Sequence, residues 1–80
     1  MELVLISRKG CHLCEEAEAL LKARGLAYRW VDVDADAELR KLYTFRVPVL
    51  LLGRAVLLEG KFTPERLEKK LEALRGPHPG

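Results

Sequence analysis

Cys11 and Cys14 stand three residues apart in Gly10-Cys11-His12-Leu13-Cys14, and the chain has no other cysteine. The apolar run Leu3-Val4-Leu5-Ile6 comes just before them, and the amphipathic stretch Glu15-Glu16-Ala17-Glu18-Ala19-Leu20-Leu21 just after. Two thiols where a strand runs into a helix read as a redox dithiol rather than a structural staple. In the first turn of a helix, residues i and i+3 have Cβ atoms about 5–6 Å apart on one face. That spacing lets a disulfide close with modest adjustment, the usual Cα separation being about 4.4–6.8 Å. The free N–H groups and the positive end of the same helix favour negative charge at Cys11, and the thiolate is the attacking form.

Two plainer readings of the pair stay open: two small buried hydrophobes, or half of a zinc site. Zinc takes about four ligands, and the other candidates are His12, between the cysteines, and His78 near the C-terminus. A dimer sharing two such pairs would also supply four. Arg8 and Lys9 stand where positive charge would support a thiolate at Cys11, and they would serve as well for solubility. His12 is a candidate base or tuning charge, and equally an exposed loop residue. Glu15, Glu16 and Glu18 suit the positive end of a helix dipole. Tyr28 and Trp30 fit a core or sheet face better than a substrate platform.

The surrounding pattern says which elements would hold these residues. Residues 2–7 read as a strand ended by Ser7-Arg8-Lys9-Gly10. Over residues 12–24, Leu13, Ala17, Leu20 and Leu21 recur at helical spacing, and Gly25 stops the helix. Residues 27–33 read as a second strand. Asp32, Asp34 and Asp36 offer N-caps for a short helix over residues 37–44, with Leu39, Leu42 and Tyr43 on its buried side. Pro48 is placed to open a third strand, since proline is tolerated there. Gly53-Arg54 suits a two-residue hairpin turn into a fourth strand over residues 55–59. Thr63-Pro64 gives an N-cap followed by proline at the first helical position. That last helix reaches residue 75, with Leu67, Leu71 and Leu74 facing the core, and residues 76–80 form a fraying tail. The order β-α-β-α-β-β-α, with right-handed crossovers, makes strands one and two parallel and strands three and four antiparallel. An α/β fold follows, a four-stranded mixed sheet with helices on both faces.

The 80 residues make a single domain over 1–75. A Cys11–Cys14 disulfide closes too small a loop to stabilise much, so stability rests on the Leu- and Val-rich core. Two cysteines at redox spacing favour a reducing, cytoplasmic setting. No run approaches the ~20 apolar residues of a membrane span, and Met1-Glu2-Leu3 has no basic leader region. A net charge of +2, with Lys and Arg interleaved among Glu, gives no case for nucleic acid. The chain holds no Asn or Gln and is rich in Arg, Glu and Leu. That balance fits a thermophile, and genome base composition would produce it too.

With the dithiol after strand one, Val47-Pro48 before strand three and the Gly60 turn before the last helix, the chain resembles a small glutaredoxin-like protein of the thioredoxin superfamily. The resemblance spans residues 2–75. It implies a thioredoxin-like fold with Pro48 cis beside both cysteines, and Val47 offering its backbone to a substrate peptide or glutathione. Arg8 falls where glutaredoxins usually carry a lysine that attracts the glutathione carboxylate. Three features depart from the family. Arg46 replaces a usual threonine, no tryptophan precedes Cys11, and Glu59-Gly60-Lys61-Phe62-Thr63 replaces the Gly-Gly turn and polar segment that hold the γ-glutamyl end. Glu59 at ~4 Å from such a carboxylate, at an effective dielectric near 20, would cost about 4 kcal/mol before screening.

The expectation is a monomeric thiol-disulfide oxidoreductase acting on protein or small-molecule disulfides. Cys11 attacks, Cys14 resolves, Arg8, Val47 and Pro48 meet the substrate, and Lys9 and His12 tune the thiol. It needs no metal or organic cofactor, only an external thiol or a reductase as electron donor, glutathione being one possible thiol. The alternatives are glutathione-dependent deglutathionylation and a non-catalytic thioredoxin-fold module that binds a partner or a metal.

Overall fold

The computed structural model of the chain describes residues 2–74. Its elements are β1 (Leu3–Ser7), α1 (His12–Ala23), β2 (Arg29–Asp32), α2 (Ala37–Tyr43), β3 (Val49–Leu52), β4 (Ala55–Glu59) and α3 (Pro64–Leu74), with a 3-10 turn at Val33–Ala35. This is the expected order. The sheet runs β2-β1-β3-β4, with β1 parallel to β2 and the other two pairings antiparallel. The expected tail at residues 76–80, and His78 with it, lies outside the described residues. No described helix is long and apolar enough to cross a membrane.

β1 sits inside the sheet and is covered on both sides, which is why its sequence is a continuous apolar run rather than an alternation. Successive side chains point to opposite faces. Leu5 and its partner Leu50 enter one core with Ala17 and Leu21 of α1, Leu58, Phe62 and Leu67 of α3. Ile6 and its partner Val49 enter the other with Val33, flanked by Leu39 and Tyr43 of α2. Arg24 and Glu68 form an ion pair that ties α1 to α3.

The helix ends follow from local chemistry. Gly25, at φ +69°, ends α1 while its N–H donates to the Lys22 carbonyl at 2.9 Å and the Leu26 N–H donates to Leu21 at 3.0 Å. That is the Schellman arrangement, and it returns Leu26 to the core it shares with Leu21. The Asp36 carboxylate caps α2, accepting from the N–H groups of Glu38 and Leu39 at 2.8 and 3.2 Å. The Thr63 hydroxyl accepts from the Arg66 N–H at 3.1 Å and caps α3.

Four expectations need correction. β2 spans only Arg29–Asp32 rather than residues 27–33, and it ends at Asp32, whose carboxylate accepts the Asp34 N–H at 2.9 Å and turns the chain out of the sheet. β3 begins at Val49, one residue after Pro48, which has no N–H for the ladder. Leu42 is 53 % exposed. The two-turn α2 presents a narrow stripe that Leu39 and Tyr43, four residues apart, already fill. Leu74, the last described residue of α3, is likewise exposed, at 41 %, whereas Leu67 is buried and Leu71 packs beside it.

These differences give a direct test of where stability resides. Leu50→Ala is expected to lower the unfolding free energy by about 2–5 kcal/mol, the usual range for truncating a fully buried leucine. Leu42→Ala should change it by less than about 1 kcal/mol. Urea denaturation with an unchanged slope for both variants checks the pair.

Candidate active site

The loop from β1 into α1 carries the dithiol. Gly10 takes φ +76°, a region that L side chains rarely adopt, and so turns the chain off the strand. The Cys11 N–H reaches the Arg8 carbonyl at 3.4 Å. Cys11 then acts as the N-cap of α1, with extended backbone at φ −92° and ψ 115°. Its sulfur accepts the Cys14 N–H at 3.3 Å, and its carbonyl accepts the Glu15 N–H at 3.0 Å. Both cysteines are free thiols. Cys11 is half-buried, whereas Cys14 is 0 % exposed.

Burial pushes the Cys14 thiol pKa up, and its hydrogen bond with Cys11 adds to the rise. The Ser7 hydroxyl and the backbone at Arg8 pull the other way. Sequence reasoning passed over Ser7 as the polar end of a strand. Its position two residues after Leu5 puts it on the same strand face, the one α1 covers, and that periodicity was the available signal.

Arg8 uses four of its five N–H donors within the protein. Its Nε and one terminal nitrogen grip the Asp34 carboxylate at 2.8 and 3.0 Å. The same fork reaches the Thr44 hydroxyl at 2.6 Å and the Thr44 carbonyl at 3.2 Å. The hydrogen bond from Arg8 holds the Asp34 carboxyl below its usual range, and that bond in turn raises the Arg8 pKa. The cysteines add to that rise, by less than Asp34 does. Arg8 thus ties the dithiol loop to the turn after β2 and to the end of α2. Most of its donors face these partners rather than an open carboxylate site; sequence reasoning took Asp34 only as a candidate helix cap and did not single out Thr44.

The Val47–Pro48 peptide is cis. Extending the Ile6–Val49 pairing by one residue sets Pro48 opposite Ser7, at the strand end from which the dithiol loop departs. The Pro48 carbonyl accepts the Gly60 N–H at 2.9 Å. The Val47 N–H is already taken within the protein, by the Tyr43 carbonyl at 3.1 Å. Next to it, Phe45 is 98 % exposed.

Arg46 lies 5.1 Å from the Tyr43 ring centroid and donates from Nε to Glu59 at 2.7 Å. Glu59 therefore carries its own counter-charge, and the repulsion expected between it and a substrate carboxylate is offset. Phe62 belongs to the core rather than to a substrate rim. Lys9 is exposed, and His12 lies on the surface with Nε2 3.0 Å from Glu16. Trp30 donates from its indole nitrogen to Glu18 at 3.3 Å, which fastens β2 to α1. Among the described residues no three His, Cys, Asp or Glu side chains converge as a metal site.

The unequal thiols generate two expectations. Alkylation of the reduced, folded protein should modify Cys11, with Cys14 reacting only after denaturation. Peptide mapping checks this, and first labelling at Cys14 would reverse the assignment. The second concerns pH. The folded Cys14 holds its proton above the ordinary value of 9.0, so the folded state binds more protons than the unfolded state there. Stability is full below that value and falls as pH rises past about 9. Urea midpoints of the reduced protein should drop more steeply above about pH 9 than those of Cys14→Ala.

The family comparisons agree with this geometry. The glutaredoxin-like domain matches residues 2–72. A curated relative from Bacillus subtilis (strain 168), N-acetyl-S-hydroxy-L-cysteine reductase, is 31% identical over 65 residues, covering 75% of this chain and 70% of its own. The X-ray structure of XcR50 from X. campestris is 43% identical with a TM-score of 0.77, covering 89% of this chain and 96% of that one. A glutaredoxin from Brucella melitensis, at 24% identity, shares the fold with a TM-score of 0.60 over 94% of this chain and 78% of its own. On the domain match and the fold together, the chain belongs to the glutaredoxin-like family of the thioredoxin superfamily.

Proposed function

We propose that the protein is a dithiol-disulfide oxidoreductase. The observation that carries this reading is the unequal setting of two thiols three residues apart. Cys11 is accessible at the helix N-terminus, and Cys14 is sealed behind it and hydrogen-bonded to it. Cys11, as thiolate, attacks one sulfur of a substrate disulfide. A Cys11–substrate bond forms, the substrate S–S bond breaks, and the first product leaves as a thiolate. Cys14 then attacks the Cys11 sulfur, the second product leaves, and Cys11 and Cys14 are left joined. Two electrons pass from the dithiol to the substrate, and an external thiol or a reductase restores them. No metal or organic cofactor enters the cycle.

The substrate is read as a disulfide-bearing protein or small molecule, met beside Pro48 and the Val47 carbonyl. The Bacillus subtilis relative, named for reducing an S-hydroxy cysteine derivative, favours a second substrate class served by the same two thiols. Attack by Cys11 on the sulfur of a sulfenic acid releases water and gives the same mixed disulfide, which Cys14 resolves. Glutathione is read as a weak or generic partner, because Arg8 is engaged with Asp34 and Thr44 and Phe62 lies in the core.

The test is to trap the intermediate. Cys14→Ser should accumulate a covalent adduct with substrate, seen by mass spectrometry as the added mass of one thiol, and Cys11→Ser should accumulate none. An adduct on Cys14 in the Cys11→Ser protein, or none in Cys14→Ser, would refute the assignment. Run side by side with a protein disulfide, a small S-hydroxy thiol and a glutathione mixed disulfide, the assay also ranks the substrate classes. Saturable turnover of the glutathione adduct would make this a glutaredoxin in the full sense.

A further inference from the structure

Ser7 is the buried polar residue among the described residues, shielded completely from solvent at the end of β1. Its Oγ has no hydrogen-bond partner. A buried hydroxyl without a partner is destabilising, and native structures hold few of them, so one calls for an explanation. Alternation along β1 sets Ser7 on the face of Leu5, which packs against Ala17 and Leu21 of α1. On the first turn of that helix, equally sealed from solvent, is Cys14. The Ser7 hydroxyl acts on the Cys14 thiol so as to favour its ionised form, against the burial that disfavours it. A hydroxyl favours an anion by donating a hydrogen bond to it.

We propose that Ser7 is a positioning residue for the second half of the exchange: its hydroxyl, uncommitted beside the neutral thiol, turns to donate to the Cys14 thiolate as that sulfur attacks the mixed disulfide. The proposal rests on the dithiol reading above. In this step the Cys14 sulfur bonds to the Cys11 sulfur, and the bond from Cys11 to the substrate sulfur breaks. The electron pair leaves on the substrate sulfur, which takes up the proton that Cys14 gave away. The Ser7 proton stays on its own oxygen throughout. The ionisable residues near Cys14 are Cys11, the N-cap of α1, and Arg8, which follows β1 and acts on the thiol through its backbone. Once Cys11 is bonded to substrate it no longer titrates, and Arg8 keeps its charge against Asp34. The pH dependence of resolution then reports Cys14.

The bland alternative is that Ser7 is merely small enough to fit. The two differ in what a change at Ser7 does. Reaction of the reduced protein with an aromatic disulfide, dithiobis(nitrobenzoate), gives one coloured thiolate as Cys11 attacks and a second as Cys14 resolves the adduct. Stopped-flow absorbance separates the two releases. In Ser7→Ala the second release should slow about tenfold at neutral pH, with its pH midpoint raised by about one unit. The first release should be unchanged, and the urea midpoint equal or higher, because an unpartnered hydroxyl has been removed. Ser7→Thr and Ser7→Val have nearly the same shape, so a faster second release in Thr than in Val assigns the effect to the hydroxyl. Equal second releases in wild type and Ser7→Ala, or in Thr and Val, overturn the proposal. Absence of any second release from the wild-type protein would instead overturn the dithiol reading beneath it.

Discussion

Everything in this fold depends on β1 being buried on both faces at once. Leu5, Ile6 and Ser7 are successive residues, all shielded from solvent, and they point alternately to opposite sides of the sheet. Leu5 draws α1 and α3 onto one face, and Ile6 draws α2 and the turn after β2 onto the other. A strand held this way slips register only at great cost, because a shift by one residue would exchange the two cores. The dithiol loop is the direct continuation of that strand. Its position is therefore set by the most constrained segment of the molecule, although the loop itself reaches the surface.

A buried strand fixes where the loop starts, and Arg8 fixes where it goes. One guanidinium joins three segments that are distant in sequence: the dithiol loop, Asp34 after β2, and Thr44 at the end of α2. Thr44 stands just before the loop that carries Arg46, Val47 and Pro48. Arginine can do this where lysine could not, because a planar fork with several donors meets a carboxylate and a hydroxyl together. The pairing with Asp34 is on the surface, where a single ion pair contributes little to stability. Its value lies in geometry. Asp34 compensates the charge that Arg8 brings next to the cysteines, and the hydroxyl and carbonyl of Thr44 take two more donors.

Much of this was legible in the chain, and the reasons differ from element to element. Strand and helix order followed from periodicity, and the stops at Gly25 and the caps at Asp36 and Thr63 followed from backbone chemistry that acts over a few residues. Leu42 misled because its spacing from Leu39 suits a helix face, while only the packed fold shows that a two-turn helix has room for a narrower stripe. Phe45 is apolar and exposed for a reason that nothing in the structure explains. Within the candidate site, the nearness of Cys11 and Cys14 was visible because three residues of helix bring them together. The engagement of Arg8 with Asp34, and of Arg46 with Glu59, was not visible, because partners 26 and 13 residues away are set by topology rather than by local pattern. Arg46 and Glu59 were each read as losses from a glutathione site, and the fold shows them offsetting one another.

The two cysteines also answer a kinetic question raised by placing a thiol in a dry interior. Each unit by which burial lifts a thiol pKa cuts its thiolate fraction at neutral pH about tenfold. The remaining thiolate becomes more nucleophilic by only about threefold for the same unit, so on balance a buried thiol loses rate. For an attack on a molecule in solution that loss would matter, and the buried sulfur could not reach the target in any case. For an attack on a neighbouring sulfur the comparison reverses. Well-oriented groups within one molecule react as though at about 10⁵–10⁸ M, which outweighs several units of pKa. On the dithiol reading proposed above, Cys14, sealed but one helical turn from Cys11, is suited to a disulfide formed on Cys11 and to little else. On that reading, burial makes the order of the two thiols a property of the fold rather than of their intrinsic reactivity.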